Sequence, residues 1–387
     1  MASSKELTLF ESASIVAGYG IGAGIMAVPW MAARSGIFSS LVVIAAAYFV
    51  SVLLHLMIAQ LALGSAASTG GTQVVEAFRA FLFRGRLREV LTWAFFVVCL
   101  LSFTLNLAAF VAGAGEIISN LTGLPSLAGG ALFSVFAAGV VVLGLKALGV
   151  SEKIAVVSML GLFAALLVGT MAVPFHHLPL SFTWDRRALA LFGVVMFCFG
   201  SFFSIPQVVE GMRSRPERVR GAVLLGLGIN LAVVVLVTFL ALAASAEVTQ
   251  VAIVGWAHAL GPWASILGSV FFLLALLTTY WSISFALLTI VRERLSVGRV
   301  PAWLVATLPN IVLALTGLTG FLGFVRLAGG AIATLVALLF VPAYLVYRGQ
   351  AHGMRMQIMS GWLGWKVWPW VAMAGYLLMA VGSFIGL

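Results

Sequence analysis

The chain is dominated by apolar runs long enough to cross a bilayer, and they recur from one end to the other. A hydrocarbon core of about 30 Å needs roughly 20 apolar residues per helix. Such runs begin near Ser12, Phe38, Val90, Leu127, Ile154, Ala188, Ala222, Trp263, Pro301, Phe324 and Lys366, which predicts about 11 transmembrane helices. A membrane β-barrel is excluded, because its strands would alternate in polarity. Charged residues make up only 8% of the 387 positions and hydrophobic ones 63%. Soluble proteins carry about a quarter charged residues, so this composition excludes a soluble enzyme, a disordered chain and a nucleic-acid binder. The N-terminus lacks the basic start and cleavable core of a signal peptide. Cys99 and Cys198 lie inside apolar runs, as free packed thiols do.

The distribution of Lys and Arg orients the spans. With residues 1–11 placed in the cytoplasm, only Arg34, Arg186, Arg187 and Arg326 of the 21 basic residues fall outside. The expectation is a multi-pass protein of the plasma or inner membrane, with its N-terminus inside and its C-terminus outside.

The first and sixth spans share an interruption. Superposing Pro29 on Pro206 aligns GAGIMAVP, from Gly22, with FGSFFSIP, from Phe199. Glycine weakens a helix by about 1 kcal/mol and proline removes a backbone donor. The backbone groups they free are tolerated at membrane depth only where they line an enclosed cavity. Five spans separate the two breaks, and this odd number inverts the second copy. The pattern predicts an all-α membrane protein built as a five-plus-five inverted repeat. Residues 12–174 form the first repeat and 188–347 the second, with 366–387 as an added helix. Broken helices of this kind mark transporter binding sites, where half-helix N-termini meet anions and freed carbonyls meet cations. No catalytic constellation is present, so the chain is not read as an enzyme.

IGAGIMAVP (Ile21–Pro29) resembles the first helix of the amino acid/auxin permease family, which includes tryptophan and tyrosine permeases. FGSFFSIPQVVEGMRSRPERVRGAVLLG, from Phe199, is similar to that family's sixth helix and following basic loop. The resemblance implies the leucine-transporter-type fold of the amino acid–polyamine–cation superfamily and secondary transport of amino acids by alternating access. It places the substrate carboxylate on the backbone of Gly22, Ala23 and Gly24. Phe199, Gly200, Ser201, Phe202 and Phe203 then close around the rest, and Asn106 and Ser102 of the third span could face the same pocket. The eighth span, FFLLALLTTYWSISF, resembles the helix that meets the first in sodium-coupled members. Carried over by position, the carbonyls of Ala17, Gly20 and Ala275 and the hydroxyls of Thr278 and Thr279 would hold Na⁺; H⁺ is the alternative coupling ion. The fifth span, counted from Ile154, has no ionisable residue after Lys153, so no lysine substitutes for the cation.

The expected partners are a small-molecule amino acid, neutral and tilted toward the large apolar or aromatic class, and membrane lipid, with no nucleic acid and no obligate protein partner. A channel or an amino-acid sensor on the same fold is the alternative. Glu11 and Glu210 are candidates for pairing with inside arginines as a gate, and Glu116 lies near the outer end of the third span. His55 reads as a packing residue, and no role is assigned to the Asn120 sequon.

Overall fold

A computed structural model of the chain describes residues 6–175, 181, 182, 184–245, 248, 252–317, 330–350 and 358–384. Lys5, Arg326, Arg355 and the expected start of the tenth span at Phe324 lie outside the described residues. Every described element is helical, as the bilayer requires of spans that must satisfy their own backbone.

The first span is broken in two: α1 (Leu9–Gly20) and α2 (Val28–Ser35) are joined by a 3₁₀ segment, Ala23–Ala27. It is followed by α3 (Ile37–Thr69), a short α4 (Val74–Phe81), α5 (Arg88–Thr122), α6 (Ser126–Leu143) and α7 (Leu145–Met171). The second set opens in the same way. α8 (Arg186–Cys198) and α9 (Ile205–Gly211) flank a break containing a 3₁₀ turn, Phe202–Ser204. Then come α10 (Val219–Ala244), a short α11 (Ala252–Leu260), α12 (Pro262–Leu295), α13 (Arg299–Leu315) and α14 (Gly330–Gln350). The short helices α4 and α11 occupy the same place in each set, after its second span. α15 (Trp368–Phe384) completes the chain.

Seven of the described helical stretches are long and apolar enough to cross a membrane by themselves. Their buried faces differ in extent. The windows within α3 and within α12 are 67% and 78% buried, whereas that of α7 is 33% buried. The outward faces carry bare aliphatic and aromatic side chains such as Val135 (76% exposed), Phe136 and Val168. That is what a surface facing lipid rather than water presents.

Small residues set the closest approaches. At Gly226 of α10 a Cβ would press on the Ala13 carbonyl at 2.6 Å and on Val16, so α10 lies directly against α1. Gly115 of α5 meets the backbone of Ser126 and Gly130 of α6 in the same manner.

The fifth span starts earlier than expected. α7 begins at Leu145, immediately after Gly144 (φ +102°), rather than at Ile154. Glu152 is therefore inside the helix, about two turns from its start.

Candidate functional site

The first break forms where four glycines alternate along one stretch. α1 closes when the Ile21 amide donates to the Ala17 carbonyl (2.8 Å) and the Gly22 amide to the Gly20 carbonyl (2.8 Å). Gly22 is extended (φ −109°, ψ −177°), and the chain re-enters a helix through Ala23–Ala27, with Pro29 in the first turn of α2. Proline is favoured there because its missing donor would be unpaired anyway. The initial N–H groups of the new segment have no intrahelical acceptor, and Gly22 has no side chain to cap them.

The two flanks of this break differ. A Cβ at Gly20 would collide with the Asn230 carboxamide and sit 2.9 Å from the Ser201 hydroxyl, and one at Gly24 would lie 3.0 Å from the Phe197 ring. A Cβ at Gly22 would meet no atom of the described residues within 4 Å. The open space at the break is beside Gly22.

The second break faces the first. The Ser201 hydroxyl donates to the Val16 carbonyl at 2.9 Å, and the Ser204 hydroxyl to the Ser201 carbonyl at 2.7 Å. The Gln207 amide donates to the Ser282 carbonyl of α12 at 2.7 Å, tying α9 to the eighth span. Pro206 stands in the first turn of α9, as Pro29 does in α2.

The three phenylalanines gather at one break but point in different directions. Phe199 meets Tyr48 of α3 edge-on at 5.8 Å between centroids. Phe202 packs on His55 of α3 (5.7 Å) and on Tyr376 of α15 (6.1 Å). Phe203 meets Phe103 of α5 at 4.6 Å. Asn106 is half-buried one turn from Phe103, while the Ser102 hydroxyl donates to its own helix at Val98 (2.6 Å). His55 is wholly buried, with Nδ1 2.6 Å from the Ser51 carbonyl. The added helix α15 is thus part of the wall behind the sixth-span break.

On the other side of α1 lies α12. The Thr278 hydroxyl lies 2.8 Å from the Gly18 carbonyl and 3.1 Å from that of Ala275, and the Thr279 hydroxyl donates to Ala275 at 2.8 Å. Among the oxygens carried over by position, those of Ala275, Thr278 and Thr279 come together. The α1 carbonyl that Thr278 reaches is Gly18, whereas those of Ala17 and Gly20 receive backbone amides. A carbonyl has two lone pairs, so both retain acceptor capacity.

Two buried residues at this centre went unremarked in the sequence. Asn230 of α10 has neither carboxamide atom hydrogen-bonded among the described residues, although it lies against the Gly20 flank. Its signal was a lone carboxamide within a continuous apolar span. Glu152 of α7 is fully buried and accepts from the Ser282 hydroxyl at 2.9 Å. It was missed because the fifth span was counted from Ile154.

Other acidic residues among those described lie toward the ends of the helices. Glu11 and Thr8 form a reciprocal cap on α1, and Glu11 pairs with Lys146 of α7, so its partner is a lysine rather than an arginine. Glu210 forms no ion pair among the described residues. Arg294 of α12 reaches Glu89 of α5 at 2.9 Å and Glu76 of α4 at 3.9 Å. Glu116 lines a small cavity with Val111, Ser126, Ala314 and Gly317.

The sequence profile of the tryptophan/tyrosine permease family matches residues 5–385. The chain belongs to that family. No curated protein sequence matches the permease. Its fold is shared with MhsT, solved in complex with L-phenylalanine, at a TM-score of 0.62 and 14% identity over 98% of this chain and 99% of that one. It is shared equally with Mhp1, a nucleobase-cation-symport-1 family transporter solved in a closed conformation with bromovinylhydantoin bound. There the TM-score is 0.62 and the identity 16%, over 98% of this chain and 91% of that one. The permease is a multi-pass membrane protein with the leucine-transporter-type inverted repeat, and it is a secondary transporter rather than an enzyme.

Proposed function

We propose that this permease carries a neutral amino acid, of the large apolar or aromatic class, across the plasma or inner membrane by alternating access, driven by a Na⁺ or H⁺ gradient. The observation that carries the reading is the apposition of the two breaks. Ser201 of one bonds Val16 in the last turns of α1, just before the other, and open space lies beside Gly22 of that other break.

In this reading the substrate carboxylate accepts from the N–H groups that begin the Ala23–Ala27 segment, where the half-helix dipole is positive. The substrate ammonium turns toward carbonyls of the Phe199–Ser201 break. The Ser201 hydroxyl gives its proton to Val16 and offers the ammonium only its lone pairs. No Asp, Glu, Lys or Arg side chain occupies either break, Ile21–Ala27 or Phe199–Ser204, which suits a substrate with an uncharged side chain. Phe199, Phe202 and Phe203 supply apolar walls, as does the aromatic layer behind them. The phenylalanine bound by MhsT and the name of the family accord with that class of substrate.

The driving cation binds where α1 meets α12, at the oxygens of Ala275, Thr278 and Thr279 and the α1 carbonyls, including those of Ala17 and Gly20. Oxygen ligands of this kind suit a hard cation. Cation and substrate both order the interrupted first span, so each raises the other's affinity. The N-terminus is inside and the C-terminus outside, from the distribution of Lys and Arg.

The test is uptake into proteoliposomes of purified protein, competed by each of the twenty amino acids in sodium and in choline buffer. Saturable, gradient-driven accumulation of an aromatic or large apolar amino acid is the expected result. Substrate-independent conductance would replace this reading with a channel. Tight amino-acid binding without transport would replace it with a sensor.

A further inference from the structure

Among the described residues, Glu152 is the one acidic side chain buried beside the first break, and the proposed function gives it no task. It belongs to α7, in the fifth span, and is 0% exposed. Its two oxygens differ. Oε1 accepts from the Ser282 hydroxyl of α12 at 2.9 Å, and Oε2 has no hydrogen-bond partner among the described residues. The free oxygen points at α1, where a Cβ on Gly18 would collide with it and lie 3.1 Å from the Thr278 Cβ. Gly18 is also the residue whose carbonyl lies 2.8 Å from the Thr278 hydroxyl. Three spans therefore converge on one unpartnered carboxylate oxygen, within a turn of the point where the first helix opens.

An ionised carboxylate held away from water is costly unless a positive charge accompanies it. Ionisable residues at membrane depth usually mark the path of an ion or proton. The elements packed against α7 are α1, α6, α9, α10 and α12. Their titratable groups are Glu11 and Tyr19 of α1, Glu210 of α9, Arg220 of α10, and Tyr280, Arg292, Glu293 and Arg294 of α12; α7 itself adds Lys146 and Lys153, and α6 has none. None of the basic groups among them forms an ion pair with Glu152. Gly18, the residue that Oε2 faces, brings further oxygens to the same junction: its carbonyl lies 2.8 Å from the Thr278 hydroxyl, which in turn lies 3.1 Å from the Ala275 carbonyl.

We propose that Glu152 is the anionic ligand of the coupling cation, a monovalent ion held between its Oε2, the Gly18 carbonyl and the Thr278 hydroxyl. The proposal rests on the transporter reading and deepens it. A site made only of neutral oxygens would carry a net positive charge when loaded. With Glu152 the loaded site is neutral and the empty one negative, so the membrane potential acts on the return of the empty carrier. Both Na⁺ and H⁺ satisfy a lone carboxylate oxygen, and the experiment separates them.

Cation binding is measured on the purified full chain without amino acid, as ²²Na⁺ bound at constant pH and, in choline buffer, as protons taken up by a pH-indicator dye. Wild type is expected to bind one of the two ions saturably. Glu152→Gln should weaken that binding at least tenfold, and Glu152→Asp should restore part of it. Ser282→Ala, which removes the donor to Oε1 without adding bulk, should shift the half-saturating cation concentration at least threefold. It is the readable variant if Glu152→Gln does not elute as a folded protein. Saturable ²²Na⁺ binding identifies sodium, and proton uptake in its absence identifies H⁺. Wild-type affinity in Glu152→Gln, or in Ser282→Ala if only that variant folds, overturns the proposal. Because no amino acid is present, the result is readable even if uptake fails and the transporter reading falls.

Discussion

The Ser201 hydroxyl donates to the Val16 carbonyl across 2.9 Å, joining the break of the sixth span to the last turns of α1. Residues 185 positions apart are held together by one buried hydrogen bond beside the open space at Gly22. Ser201→Ala should remove about 1 kcal/mol from the arrangement in which the two breaks meet. The check is a thermal-unfolding comparison in detergent, with and without substrate. A midpoint unchanged from wild type in both conditions would show that the bond does not hold the breaks together.

Gly22 is the position at which bulk tests the substrate site without disturbing the protein. Its extended backbone accepts any residue, and no atom of the described residues lies within 4 Å of a Cβ there. Gly22→Leu should lower substrate affinity at least tenfold, about 1.4 kcal/mol, and leave the unfolding temperature near that of wild type. Gly24→Leu is a poorer probe, because its side chain would also strike Phe197. Wild-type binding by Gly22→Leu would place the substrate elsewhere.

Thr278 links α12 to the Gly18 carbonyl of α1. Thr278→Ala should raise the half-saturating concentration of the driving cation about tenfold. By reciprocal linkage, the substrate KM should rise at low cation and recover at saturating cation. A substrate KM with the same cation dependence as wild type would remove Thr278 from the site.

The contact of α10 with α1 depends on one missing side chain. Gly226→Leu should overpack Ala13 and Val16 and destabilise the protein by roughly 1–3 kcal/mol. Gly228, two residues along, has no neighbour among the described residues within 4 Å of a Cβ, so Gly228→Ala should be neutral or slightly stabilising. Expression level and unfolding temperature of the pair test the packing directly, and equal effects at both positions would contradict it.

Orientation can be read from added cysteines, because Cys99 and Cys198 are both buried. A membrane-impermeant maleimide applied to intact cells should label Ser126→Cys, at the start of α6, and spare Arg86→Cys, before α5. Both positions are exposed. The opposite pattern would invert the topology.

Some of this site was legible in the sequence because its causes are local. The breaks at Gly22 and at Phe199–Ser201 follow from glycine, small residues and proline acting on their own turns. The same holds for the placement of Pro29 and Pro206 in the first turns of α2 and α9. Thr278 and Thr279 were reached through the resemblance of the eighth span to that of sodium-coupled relatives rather than from their own turns. Other features depend on distant neighbours. Nothing in the residues around Glu152 says that Gly18 would face its Oε2, and nothing around Asn230 says that Gly20 would press on its carboxamide. The start of α7 at Leu145 was obscured by Lys146, Glu152 and Lys153, whose charges read as a span boundary.

Sequence alone determined that this chain lives in a membrane, that its spans repeat with inversion and where two of them open. Hydrophobicity and backbone propensity are properties of a segment, and they act wherever that segment is placed. Only the tertiary structure decided which carbonyl meets Thr278, which way Phe199, Phe202 and Phe203 face, and that Glu152 lies against the broken helix. Those outcomes belong to the packing of helices against one another. In a close-packed interior, a neighbour hundreds of residues away decides whether a polar atom finds a partner or is left bare.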